Sequence, residues 1–218
     1  MLQQYRDDYV QVEYIENTSN AYINVGIKGY NGISIDTKLE FTTNNKTMFL
    51  YGNRNRNDTN VSSNYAYAYY IDVDNYFSTN VTRSVRRYTD YQMQPNIKYR
   101  IEGTARKTTV SYMGIDEETQ QEVEKSFDFT NAGSNSGTYS KISYFLNVNQ
   151  QTYTDAYATL AKVYYLKVYA DGQLVRDFIP MYRKSTDEYG LWDRVKEEFY
   201  TSPNGTKFRG GKRVDRTS

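Results

Sequence analysis

Two residue types are missing from this 218-residue chain, cysteine and histidine, and their absence narrows its chemistry more than anything present does. Without cysteine there is no disulfide, no thiolate nucleophile and no cysteine-ligated zinc. Without histidine there are no imidazole metal ligands, no Ser-His-Asp triad and no imidazole to switch charge near neutral pH. Long hydrophobic runs are lacking too. No apolar stretch approaches the ~20 residues of a membrane span, and the N-terminal MLQQYRDDYV has no apolar segment of the kind that directs secretion. The expectation is a chain made and folded in a cytosol, without membrane insertion. Charge of one sign is also missing. There are 27 basic and 26 acidic residues, a formal charge of +1, so no global field draws the chain to nucleic acid or to an anionic membrane.

What the chain has is tyrosine. With 25 Tyr and 9 Phe, a hydrophobic share of 38% still supports a core, because tyrosine buries its ring while its hydroxyl stays wet. The length suits one domain of the larger all-β kind. Ile33, Ile35, Thr37, Leu39 and Phe41 alternate with Ser34, Asp36, Lys38 and Glu40, a period of two that predicts a half-buried strand with its polar partners facing water. Val163, Tyr165, Lys167 and Tyr169 alternate in the same way with Tyr164, Leu166 and Val168, a strand with both faces at least partly covered. Asp171-Gly172 supplies the positive φ angles of a tight turn, so Gln173 to Ile179 should return antiparallel, and Pro180 should end the return. Gly26, Gly29 and Gly32 lie between strand signals, without the helix that a phosphate loop needs, and are expected in turns. The acidic segment from Ile115 to Lys125 reads as an exposed loop or a single helical turn, and Trp192 to Glu198 as a short helix or turn. No fixed repeat and little helical periodicity are present. The pattern is that of an all-β, two-sheet antiparallel sandwich of about twelve strands with its termini close together.

Candidate binding residues come from the segment Tyr65 to Asn75 and the polar loop before it. In a strand, Tyr65, Tyr67 and Tyr69 share a face, which is either core or a platform for stacking a sugar. Arg54, Tyr67, Tyr69 and Asp72 form a candidate ligand set, since carbohydrate sites combine an aromatic face with polar groups that fix hydroxyl geometry. Asp72, Asp74 and Asn75 offer oxygens of the kind calcium takes, but the D-x-[DN]-x-[DN]-G loop is missing, and no metal or other cofactor is expected. Neither Asp72 and Asp74 nor Glu117 and Glu118 place an acid opposite a nucleophile, so no catalytic residue is assigned.

Several segments carry a resemblance. The run from Lys162 to Pro180, KVYYLKVYADGQLVRDFIP, resembles the C-terminal part of the concanavalin A-like (laminin-G-like) jelly-roll domain of bacteriophage structural proteins and gut-bacterial surface proteins. Tyr14-Ile15-Glu16 with Ala21 to Ile27 looks like that family's opening segment. Gly190-Leu191-Trp192-Asp193 with Phe199-Tyr200 looks like its closing one. The resemblance implies a jelly-roll domain over residues 12–209, preceded by an N-terminal arm (1–11) and followed by a basic tail (210–218). It implies a non-enzymatic virion structural protein, a capsid decoration, head fibre or tail component, made in the host cytoplasm. Its partners would be other virion proteins, copies of itself and a cell-surface glycan, with no specific nucleic acid. The alternatives are a bacterial carbohydrate-binding or adhesion module and a glycoside hydrolase of the same fold.

Overall fold

The computed structural model describes residues 7–54, 66–81, 84–131, 142–148 and 157–214, and these are the residues considered below. Among them the chain forms seventeen strands. The first six are β1 (Tyr9–Gln11), β2 (Ile15–Asn17), β3 (Ile23–Lys28), β4 (Ile33–Phe41), β5 (Met48–Arg54) and β6 (Ala66–Ile71). The middle six are β7 (Tyr76–Val81), β8 (Ser84–Gln92), β9 (Lys98–Gly103), β10 (Lys107–Ile115), β11 (Glu122–Thr130) and β12 (Ile142–Phe145). The last five are β13 (Ala161–Ala170), β14 (Gln173–Arg183), β15 (Glu188–Asp193), β16 (Glu198–Tyr200) and β17 (Arg209–Gly210).

Eleven of these strands form one sheet, with the path β11-β10-β9-β4-β13-β14-β15-β16 and with β1, β2 and β17 attached to it. The other six form a second sheet in the order β3-β12-β5-β6-β7-β8. Both are antiparallel, and together they make a two-sheet jelly-roll sandwich, the sandwich that the alternating pattern predicts and the jelly roll that the resemblance implies. The strands outnumber the expected twelve because short polar segments also pair. The segment from Ile115 to Lys125 contains the end of β10, a tight turn and the start of β11, and Trp192 to Glu198 joins β15 to β16.

The core lies between the sheets. Ile33, Ile35, Thr37, Leu39 and Phe41 of β4 are buried, as their period of two requires, and Ile23, Val25, Tyr51, Tyr69, Phe77 and Phe145 come from the smaller sheet. The smaller sheet is also covered on its other side. Ala68 is fully buried with Phe49 and Val148, and Tyr70 and Tyr157 pack over them.

The β13–β14 hairpin turns where expected, with Asp171 at φ 50 and Gly172 at φ 79 between the paired Ala170 and Gln173. The return does not end at Pro180, because β14 continues to Arg183. Pro180 pairs with Leu191 of β15 on one side and meets a gap on the other, where Phe178 pairs with Leu166 of β13 and Met181 with Gln11 of β1. A missing N–H costs little there, and the Pro180 carbonyl still accepts from Val12 N at 3.2 Å.

Both ends are woven into the larger sheet. Lys184 N donates to Asp8 O, Val214 N to Gln11 O and Glu13 N to Lys212 O, each at 2.9 Å, so the ends lie side by side. The described parts of the expected arm and tail, Asp7 to Gln11 and Gly210 to Val214, are thus held by their own chain.

Candidate functional site

The outer face of the larger sheet carries a groove of about 520 Å³ across β4, β9, β10, β11 and β13. Its floor is set by an irregularity in β13. Strict alternation would send Tyr165 inward with Val163, but the register against β4 shifts between Val163 and Tyr165. The bulge lets Val163, Leu166 and Val168 all reach the core at 0% exposure, while Tyr164 and Tyr165 both turn outward to carboxylates of β4.

Those carboxylates are fully engaged. Asp36 receives two hydrogen bonds from Arg100, at 3.0 and 3.1 Å, and a third from the Tyr165 hydroxyl at 2.9 Å. Arg100 also reaches Glu102 at 2.9 Å. Its guanidinium is held more firmly protonated than usual, first by the hydrogen bonds to Asp36 and then by the surrounding negative charge. Glu40 receives Lys162 Nζ at 2.7 Å and the Tyr164 hydroxyl at 2.9 Å. Burial works to raise the Glu40 pKa, but those two hydrogen bonds and the charges of Lys162 and Lys98 outweigh it, and the pKa falls. Tyr164 and Tyr165 are both pushed upward, chiefly by burial and then by donating to carboxylates. The polar residues of β4 therefore do not simply face water. Glu40 is only 7% exposed.

Lys38 is different. It stands opposite Arg100 on β9 and Tyr165 on β13, and it makes no ion pair among the described residues. Across the groove, Glu122 and Glu124 of β11 are exposed, and Met113 of β10 is exposed between the two walls. The groove thus has a cationic wall, an acidic wall and an apolar strip. Its floor carboxylates, Asp36 and Glu40, are each held by a cation and a tyrosine hydroxyl.

The residues singled out from sequence do not assemble into one site. Arg54 pairs with Ala66 at one end of the β5–β6 ladder, and Asp72 follows Ile71 at the other. Six residues of strand, about 20 Å, separate those ends. The side chains of Arg54 and Tyr67, and the whole of Tyr65, lie outside the described residues. Tyr69 is fully buried, and its hydroxyl donates to Thr104 O at 3.0 Å, so its ring is core and not a sugar platform.

Asp72 is also engaged. Its Oδ1 accepts from the backbone N of Asp74 and of Tyr76, each at 3.0 Å, and its Oδ2 lies 2.7 Å from Arg87 Nε. Asp74 takes the same guanidinium at 2.5 Å, over the Tyr76 ring. Asn75 turns to Asn45, accepting its N–H at 2.6 Å. The oxygens considered for calcium hold an arginine and an asparagine instead, and no group of three metal-ligating side chains occurs among the described residues.

Sequence reading missed the groove because its residues come from five strands far apart in the chain. One signal was available: Val163 and Leu166 are three positions apart, a spacing that cannot keep both inside without a bulge.

No family model matches the chain, and no curated protein does. Among solved structures it is similar to a scytalido-glutamic peptidase with a transition state analog inhibitor, at 11% identity and a TM-score of 0.30 over 76% of this chain and 84% of that one. It is also similar to SCP-B, a member of the Eqolisin family of peptidases in a complex with a tripeptide, at 9% identity and a TM-score of 0.26 over 87% and 90% of the two chains. At such scores nothing is carried over from these peptidases.

Proposed function

We propose that this chain is a non-enzymatic structural component of a bacteriophage particle, exposed on the virion, which works through the outer face of its larger sheet. The resemblance of its opening, hairpin and closing segments to jelly-roll domains of such particles supplies the setting. The observation that carries the non-catalytic part is the state of the floor carboxylates. Asp36 and Glu40 are each held by a cation and a tyrosine hydroxyl, which leaves neither free to serve as acid, base or nucleophile.

A second reading has one observation of its own. The Tyr165 ring beside the uncompensated Lys38 suits a host glycan carrying a carboxylate. A glycan array probed with the intact chain, run beside an assay for reducing ends released from the same polysaccharides, tests both. Under the structural proposal no reducing ends appear, and array binding identifies a sugar if the second reading holds. Sustained release of reducing ends, abolished by Glu40→Gln, overturns the non-enzymatic assignment.

A further inference from the structure

Strand pairing sets the outward side chains of the groove in rows. In one row Lys162 of β13 stands opposite Glu40 of β4, and Glu40 stands opposite Lys98 of β9. One step past the last pair of the β9–β10 ladder, Lys98 comes level with Met113 of β10, and Met113 stands opposite Glu124 of β11. Lys162 and Glu40 close on each other at 2.7 Å. What remains of the row is a cation, an apolar side chain and a carboxylate, in that order. Neither Lys98 nor Glu124 makes an ion pair among the described residues. The Lys98 ammonium lies 4.9 Å from the centre of the Tyr164 ring, toward β13 and away from Glu124, and Met113 is 51% exposed between the two charges.

The rows on either side keep the same polarity. On one side Lys38 stands opposite Arg100, whose own charge is taken up by Asp36 and Glu102, and the row ends in the short side chains of Ser111 and Ser126. On the other, Ile115 is 54% exposed and stands opposite Glu122. A carboxylated glycan at Lys38 answers one wall only. It brings nothing apolar to Met113 and Ile115 and no cation to the two glutamates. An extended polypeptide can answer all three. Its residues i, i+2 and i+4 share a face at steps of about 6.6 Å, so an acid at i and a base at i+4 stand about 13 Å apart. The two strand spacings from β9 to β11 make about 9.6 Å, and the lean of Lys98 toward Tyr164 lengthens the gap between the charges.

We infer that the groove takes an extended peptide segment of a partner protein, laid across the strands, with an acidic side chain on Lys98, an apolar one on Met113 and a basic one on Glu124. This rests on the reading of the outer face as a contact surface rather than an active site. The partner's pattern is acid-x-apolar-x-base, in either chain direction. Lys38, diagonal to Lys98 across the β4–β9 ladder, strengthens the field at the acidic end. The segment crosses the strands, so the backbone groups of the sheet stay in their own ladders and side-chain charge selects the partner. Such recognition weakens with salt. The volume of about 520 Å³ is within the range of ligand-binding clefts.

The test uses the intact chain and fluorescently labelled synthetic peptides with blocked ends, read by anisotropy over a range of salt. The first peptide contains Asp-Thr-Leu-Thr-Lys, and the second carries Asp in place of that Lys. Wild type should bind the first about tenfold more tightly than the second, and more weakly as salt rises. In the double variant Glu122→Lys with Glu124→Lys that preference should reverse. Met113→Ser should weaken binding of the first peptide without changing its salt dependence. Far-UV dichroism reports that each variant is folded. Absence of saturable binding by the first peptide overturns the peptide site, as does a preference that fails to reverse in the double variant. Binding of a carboxylated glycan without binding of peptide also overturns it and leaves the non-enzymatic proposal standing, whereas release of reducing ends overturns that proposal itself.

Discussion

Lys162 stands directly opposite Glu40 in the ladder between β13 and β4, and its Nζ lies 2.7 Å from Glu40 Oε1, although 122 residues separate them in the chain. The carboxylate is almost fully covered, and its second oxygen takes the Tyr164 hydroxyl. Lys162→Met removes the nearer cation and leaves the buried charge with one neutral donor, which should cost about 2 kcal/mol in urea unfolding. Glu40→Gln should cost less, because Tyr164 keeps an acceptor.

The same pair sets a pH window. The Glu40 pKa lies below its ordinary value of 4.5, so its contribution is complete above pH 4.5 and is lost as pH falls through the depressed value. The Lys162 pKa is raised above 10.5, chiefly by the hydrogen bond to Glu40, so its contribution is complete below pH 10.5 and is lost as pH rises through the raised value. Thermal melts should be flat between those limits for this pair. In Glu40→Gln the acid-side fall should be shallower than in wild type, and an unchanged acid limb would show that other carboxylates dominate it.

The bulge in β13 predicts an asymmetric response at Tyr164 and Tyr165. Tyr165→Phe loses one hydrogen bond to Asp36 and should cost about 1 kcal/mol. Deleting Tyr164 removes the extra residue and leaves Val163 and Leu166 two positions apart, so plain alternation keeps both in the core without a bulge, at the loss of the Tyr164 hydrogen bond to Glu40. That variant should keep the near-UV dichroism of a packed core, and loss of that signal would show that the bulge itself is needed for packing.

Two glycines should fail for different reasons. Gly172 has φ 79 and open space around it, so Gly172→Ala should cost about 1 kcal/mol from backbone strain alone. At Gly103 an added Cβ would lie 2.5 Å from the buried Tyr69 ring, so Gly103→Ala should cost about 3 kcal/mol through overpacking. Combining it with Tyr69→Leu should bring less than additive loss.

Trimming the chain to residues 12–209 removes β1 and the strip that pairs with Gln11 to Tyr14, and it takes Tyr9 off Trp192 and Phe199. The trimmed chain should lose about 3 kcal/mol or more. Trp192 is the sole tryptophan, and its emission should shift to the red as its ring is uncovered. Unchanged stability and emission would mean that these end strands contribute little.

Local pattern was enough for much of the fold. The period of two in β4, the Asp171-Gly172 turn and the density of tyrosine are properties of neighbouring residues, and they specify strands, a hairpin and an aromatic core without reference to the rest of the chain. Tyr69 and Asp72 illustrate the limit. Which face of β6 turns to the core with Tyr69 and which lies under Tyr157 is not written in its own alternation, and neither is the arginine that closes on an aspartate turn. The groove belongs wholly to the tertiary structure. It exists because antiparallel pairing brings β4, β9, β10, β11 and β13 side by side, and because one unpaired residue in β13 turns two adjacent tyrosines to the same face. Residue order determined which strands could form; the pairing of distant strands, and the slip in their register, decided which charges meet.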